Sequence, residues 1–191
     1  RFHPGLRVTV SPLGVDCGWF RPESPSPAPE VDLAFVGHFE HPPNPDAVRF
    51  LVHDVLPRLG RPARARIIGQ GVTPAVAALA RPGSVDVTGA VPDVRPHLAR
   101  AAVVVAPVRF GTGMRGKVLE ALAMGRPVVT TTLGAEGLGA TDGVELLIAD
   151  GAEAMADAIV RLLRDPETSA AIAHRARTFV EARFDWDGIA A

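Results

Sequence analysis

The chain has 191 residues, 20 basic against 21 acidic side chains, and a formal net charge of −1. Apolar residues make up 47% and charged residues 21%, an ordinary balance for one globular domain with a sizeable core, and the near-neutral total excludes an overall basic field for nucleic acid or an anionic membrane. The single cysteine, Cys17, excludes an internal disulfide framework and a multi-cysteine zinc site.

Cys17 is expected to be a buried or unreactive thiol, because no histidine near it in sequence offers a base. No apolar run approaches the roughly 18 residues of a membrane span, and no signal-peptide pattern opens the chain. A cytoplasmic location is the expectation.

In chain order, Val8–Ser11 reads as a first strand, and the Pro/Ser-rich stretch Glu23–Pro29 suits a linker better than a core element. The expected organisation is a lead-in over 1–22, a linker over 23–31 and one domain over 32–191. Leu33–Val36 is the next strand, ended by Gly37. After the turn-forming His41–Pro45, Asp46–Leu59 places Val48, Leu51, Val52, Val55 and Leu59 at helical spacing. Arg66–Ile68 and Val85–Val87 read as strands closed by Gly69 and Gly89, with a short helix over Pro74–Ala80 between them. Asp93–Ala101 supplies another helix, with Asp93 as N-cap.

The wholly apolar Val103–Ala106 fits a central parallel strand buried on both faces. A Gly-rich turn, a short helix from near Gly113 and a strand over Val128–Thr131 follow. Glu145–Ala149 makes a last short strand, and Gly151–Arg164 and Pro166–Arg183 read as helices, the first with Met155, Ala158, Ile159 and Leu162 on its apolar face. Strands alternating with amphipathic stretches imply right-handed βαβ units, hence an α/β, Rossmann-like parallel sheet flanked by helices.

Strand, glycine-rich loop and helix N-terminus together favour an anion at the carboxyl edge of such a sheet. Gly111 and Gly113 let a backbone approach a diphosphate, while Arg115 and Lys117 supply charge. The plain alternative is a glycine-rich turn with two surface cations. Arg109 is a further cation near the loop. At 100° per residue Gly113, Lys117, Glu120 and Met124 share one side of the helix and Val118, Leu119 and Leu122 the other. From spacing alone, Lys117 and Glu120 read first as an i, i+3 pair on a solvated face. His38 and His41 lack a third ligand at metal spacing and read as polar loop residues.

The blocks VTVSPLGVDCGWFRP, LAFVGHFEHPPNPDAVRFLVHDVLPRL, ARIIGQG, VDVTGAVPDVRPHLARAAVVVAPVRFGTG, KVLEALAMGRPVVTT and RFDW span nearly the whole chain. In this order they resemble the C-terminal, donor-binding half of the group 1 nucleotide-sugar-dependent glycosyltransferases of the GT-B fold. The resemblance implies a nucleoside-diphosphate sugar as ligand, a UDP- or GDP-sugar first, and no further cofactor. It places Glu120 on the ribose hydroxyls, whose two O–H groups a carboxylate can accept, and Val91 of the GAVP segment at the base.

The family often carries a glutamate eight positions before the ribose-binding one; here Thr112 stands there, so Thr112 and His38 are left as contacts to the donor sugar. The Arg and Lys that often follow the first strand are absent from HFEHPPNPD, which shifts the phosphate charge to Arg115 and Lys117. Complete members carry an N-terminal acceptor domain before this segment. The chain therefore reads as an excised donor domain, inactive alone, with no catalytic base assigned and any peripheral contact with the inner membrane face left to the missing domain. A nucleotide-sugar epimerase half and a noncatalytic nucleotide-binding or receiver-like module are the alternatives.

Overall fold

The computed structural model describes residues 13–112 and 116–189. The strand expected at Val8–Ser11 and the site residues Gly113 and Arg115 lie outside the described residues. Six parallel strands form one sheet: β1 (Val31–Val36), β2 (Ala65–Ile68), β3 (Val85–Gly89), β4 (Ala101–Ala106), β5 (Val128–Thr130) and β6 (Leu147–Ile148), in the order β3-β2-β1-β4-β5-β6. The order reverses between β1 and β4, the switch point outside which open α/β sheets bind ligands.

Helices are α1 (Pro43–Phe50), α2 (Pro74–Ala77), α3 (Arg95–Ala99), α4 (Gly116–Ala123), α5 (Thr132–Ala135), α6 (Ala152–Arg164), α7 (Pro166–Arg183) and α8 (Trp186–Ile189). On one face of the sheet Leu33, Phe35, Ile67, Val103 and Val105 pack with α1 and α6. On the other, Val104, Ala106 and Val128 pack with α3, α4 and α7. Val103, Val104 and Val105 thus alternate between two cores, which is why their run contains no polar residue.

The first crossover helix differs from the sequence expectation at both ends. It opens at Pro43, because prolines in a first turn lack only N–H groups that would be unpaired anyway. Farther on, Leu51–Val55 widens into a π turn and Leu56–Arg58 tightens into a 3-10 turn. Pro57 explains the irregularity: it has no N–H to give, and its ring would meet the carbonyl four residues back in a regular helix. The Arg58 guanidinium donates instead to the Asp54 carbonyl.

Other boundaries shift by a few residues. β1 opens at Val31 and β4 at Ala101, each earlier than its pattern suggested, while α2 ends at Ala77 and its chain continues as turns to Ala80. Asp93 lies before α3 and accepts from the Arg95 amide at 2.9 Å. The sequence reading missed α5; Thr131 caps it by accepting from Gly134 N at 2.9 Å.

The entering segment is fastened by the far end of the chain. Arg177 on α7 donates to the carbonyls of Cys17 at 2.9 Å, Phe20 at 2.5 Å and, at the end of α4, Ala123 at 2.5 Å. Val15 forms a parallel bridge with Asp185, and the Asp185 carboxylate accepts from Cys17 N at 3.2 Å. Cys17 is buried, and burial, with Asp185 beside it, pushes its thiol up to about 11. No helix among the described residues is long and apolar enough to cross a membrane.

Candidate functional site

At the carboxyl edge of the sheet, three strand-ending loops are stitched backbone to backbone. Gly37 N donates to Ile68 O at 2.9 Å, Phe39 N to Gln70 O at 2.9 Å, and Gly69 N to Gly89 O at 3.0 Å. Gly69 has φ +145°, and a Cβ there would lie 1.7 Å from the Gly37 carbonyl oxygen, so only glycine lets these loops meet. In the β2–β3 pair, the register shifts so that Ile68 faces Gly89, which leaves Thr88 as the extra residue and turns Ala90 and Val91 over the edge.

The loops and α4 enclose a cleft of about 460 Å³ lined by Gly37, His38, Asn44, Val91, Lys117 and Glu120, among others. Four sequence-selected residues, His38, Val91, Lys117 and Glu120, therefore meet in one place. Helix α4 explains half of this: Val118, Leu119 and Leu122 are fully buried under it, which turns Lys117 and Glu120 to the cleft. A larger cleft of about 750 Å³, around Trp19, Arg21, Asp93 and Arg95, contains none of the selected residues. Within it Arg95 is forked onto Asp93 and stacks 3.6 Å from the Trp19 ring centroid.

Glu120 is half-buried, and burial raises its carboxyl above the usual range against the opposing pull of Lys117. Its carboxylate takes no hydrogen bond from a described residue. A half-buried carboxylate with acceptor positions open to the cleft is suited to a ligand with two hydroxyls. Lys117 Nζ donates to the Asn44 amide oxygen and lies 4.6 Å from the Phe35 ring centroid. Asn44 Nδ2 donates to the His38 carbonyl at 2.8 Å. His38 is exposed and its Nε2 pairs with Glu40 at 3.0 Å.

Gly111, at φ +106°, and the exposed Thr112 follow β4 on the same edge. The root of this loop is held by Thr131, which donates to Val108 O at 2.5 Å, and by Thr130, which donates to Ala106 O at 2.8 Å. Arg109 is not among the residues lining the cleft: its guanidinium forks onto Asp46 at 2.9 and 2.6 Å and covers the Phe50 ring. That pair holds the Asp46 carboxyl below the usual range, with the Arg109 hydrogen bond as the largest cause. Among the described residues no group of three or more His, Cys, Asp or Glu is placed to hold a metal.

Asn44 is the residue that sequence reasoning missed. Its signal was present, since Pro43 and Pro45 flank it and proline marks a first helical turn. A receiver-like module needs an acidic cluster at the end of its first strand, whereas β1 delivers Gly37 and His38.

Comparison with known proteins agrees with this fold. The D-inositol 3-phosphate glycosyltransferase of Mycobacterium avium is 31% identical over 95% of this chain and 46% of its own length, so the chain spans about half of that relative. Among solved structures, Anabaena Alr3699/HepE with UDP and glucose superposes with a TM-score of 0.76 at 18% identity, over 92% of this chain and 52% of that one. Sucrose-phosphate synthase from Thermosynechococcus elongatus gives 0.75 at 22% identity, over 94% and 49%. The C-terminal domain of a Francisella tularensis group 1 glycosyl transferase gives 0.69 at 18% identity, covering 91% of this chain and 100% of that domain. A family model described as glycosyl transferases group 1 matches residues 30–165. The chain belongs to the group 1 glycosyl transferases and has the Rossmann-like sheet of the C-terminal half of a GT-B fold.

Proposed function

We propose that this chain binds the nucleoside-diphosphate sugar from which a complete transferase passes a glycosyl group to an acceptor. The observation that carries the reading is Glu120, a half-buried carboxylate without a donor among the described residues, in one cleft with Lys117, Val91 and His38. In this reading the base packs at Ala90–Val91 and the ribose hydroxyls donate to Glu120. The diphosphate lies against Lys117 and the loop of Gly111, Gly113 and Arg115. The sugar extends toward His38 and Thr112. Catalysis would then rest on orienting the donor and stabilising the departing diphosphate.

Thr112 can hydrogen-bond a sugar hydroxyl but contributes no charge to a developing oxocarbenium ion. An acceptor domain, with any membrane contact, is assigned to the half of the relatives' length that this chain does not span. UDP is the first donor nucleotide to test, because the Anabaena neighbour is described with it.

The test is calorimetric titration with UDP, GDP and ADP, each repeated with Glu120→Ala. One diphosphate is expected to bind the wild type and to lose affinity in the variant. Absence of binding by all three to the wild type removes the reading.

A further inference from the structure

We propose that Asn44 is a positioning residue for the donor diphosphate: its neutral amide holds the Lys117 ammonium at the cleft without cancelling its charge. The inference rests on the nucleotide-sugar reading and adds a residue to it.

Two neighbouring residues of the first turns of α1 each meet a cation from the segment after β4. Asp46 takes Arg109 in a forked ion pair, which satisfies that guanidinium and leaves it little charge to offer a ligand. Asn44 meets Lys117 with a neutral oxygen. An ammonium held by a dipole keeps its full unit of charge; one held by a carboxylate does not.

The orientation of the amide is fixed by its partners. Asn44 is 5% exposed, and one end faces the His38 carbonyl at 2.8 Å, an acceptor that only Nδ2 can satisfy. The other end, Oδ1, must then face Lys117, whose ammonium can only donate. Below Lys117 lies the Phe35 ring, which favours a cation without neutralising it. Glu120, one helical turn on, shares the cleft with Lys117 and is assigned to the ribose. Through Nδ2, Asn44 also ties the His38 loop to the same point, so that the ammonium and the loop keep a constant spacing.

The experiment compares the affinities of UDP and uridine in the wild type, Asn44→Asp, Lys117→Met and the double variant, with thermal melts as a folding control. Uridine carries no phosphate, so a purely structural defect lowers both affinities together. Asn44→Asp is expected to weaken UDP binding about tenfold or more while leaving uridine binding nearly unchanged. In the Lys117→Met background the effect of Asn44→Asp on the UDP to uridine ratio is expected to vanish. An equal loss for both ligands, or an unchanged ratio, overturns the role of Asn44 while leaving the nucleotide reading intact. Failure of the wild type to bind either ligand overturns both. If Asn44→Asp does not fold, Asn44→Ala, which withdraws the acceptor without adding charge, should lower the ratio several-fold; an unchanged ratio there also refutes the proposal.

Discussion

Replacing Glu120 with Gln should make the empty domain more stable and a poorer binder. The ionised carboxylate is half-buried, takes no hydrogen bond from the described residues and has the nearby charge of Lys117 in its favour. Partial burial disfavours the ionised form; with the Lys117 attraction subtracted, a neutral isostere should recover on the order of 1 kcal/mol. For a domain of this size that is a rise in Tm of roughly 2–4 °C. The pH dependence follows from the direction of the shift. A folded pKa above the unfolded one gives stability that is present at low pH and lost as pH rises through the folded value. The gap between variant and wild type should therefore be small in acid, open through the raised folded pKa of Glu120, and stay constant above it.

Binding should move the other way. A hydrogen bond to a charged acceptor contributes about 1.5–3 kcal/mol, so loss of one such bond to the ribose weakens nucleotide affinity by about 10–150-fold. Differential scanning calorimetry across pH and titration with UDP measure the two arms. A lower Tm in Glu120→Gln, or unchanged UDP affinity in a folded variant, would refute the reasoning.

Gly69→Ala should destabilise the fold by about 3 kcal/mol and abolish nucleotide binding, because its Cβ meets the Gly37 carbonyl and its φ is positive; urea unfolding and titration check this. Asp46→Asn should cost about 0.5–1 kcal/mol at neutral pH, a value discounted because Arg109 is 42% exposed along its side chain. Since the folded Asp46 pKa is depressed, that contribution is present above the unfolded pKa and lost as pH falls through the folded one, so the two proteins should converge in strong acid on denaturant titration. Cys17 should resist a thiol reagent at pH 8 in the native protein and react at once when unfolded, because its thiol is buried and its pKa is about 11.

The strand pattern and the cleft-facing side of α4 were legible because both follow periods that burial enforces. Val103–Ala106 could only be a doubly covered strand, and Val118, Leu119 and Leu122 could only turn Lys117 and Glu120 outward. What escaped was set by partners distant in sequence. Arg109 read only as a further cation near the loop; its partner Asp46 on α1 is 63 residues away in the chain. Asn44 looked like a turn residue until Lys117, 73 residues on, took its oxygen. The π turn over Leu51–Val55 was hidden for a different reason: the apolar spacing stays nearly helical, and only Pro57 disturbs the hydrogen bonds.

The Arg177 clamp imposes a timetable on folding. Its bonds to Cys17 and Phe20 span 160 and 157 residues, and the Asp185 bond to Cys17 spans 168. Closing loops of that length is entropically expensive and slow, so it is rewarded only after the intervening sheet has shortened the path. On a ribosome emitting residues in order, the first-made described segment must therefore wait for almost the last. Until α7 emerges, the underside of α4 and the thiol of Cys17 stay open to solvent, and a chain stalled near Arg164 would be a target for chaperones and proteases.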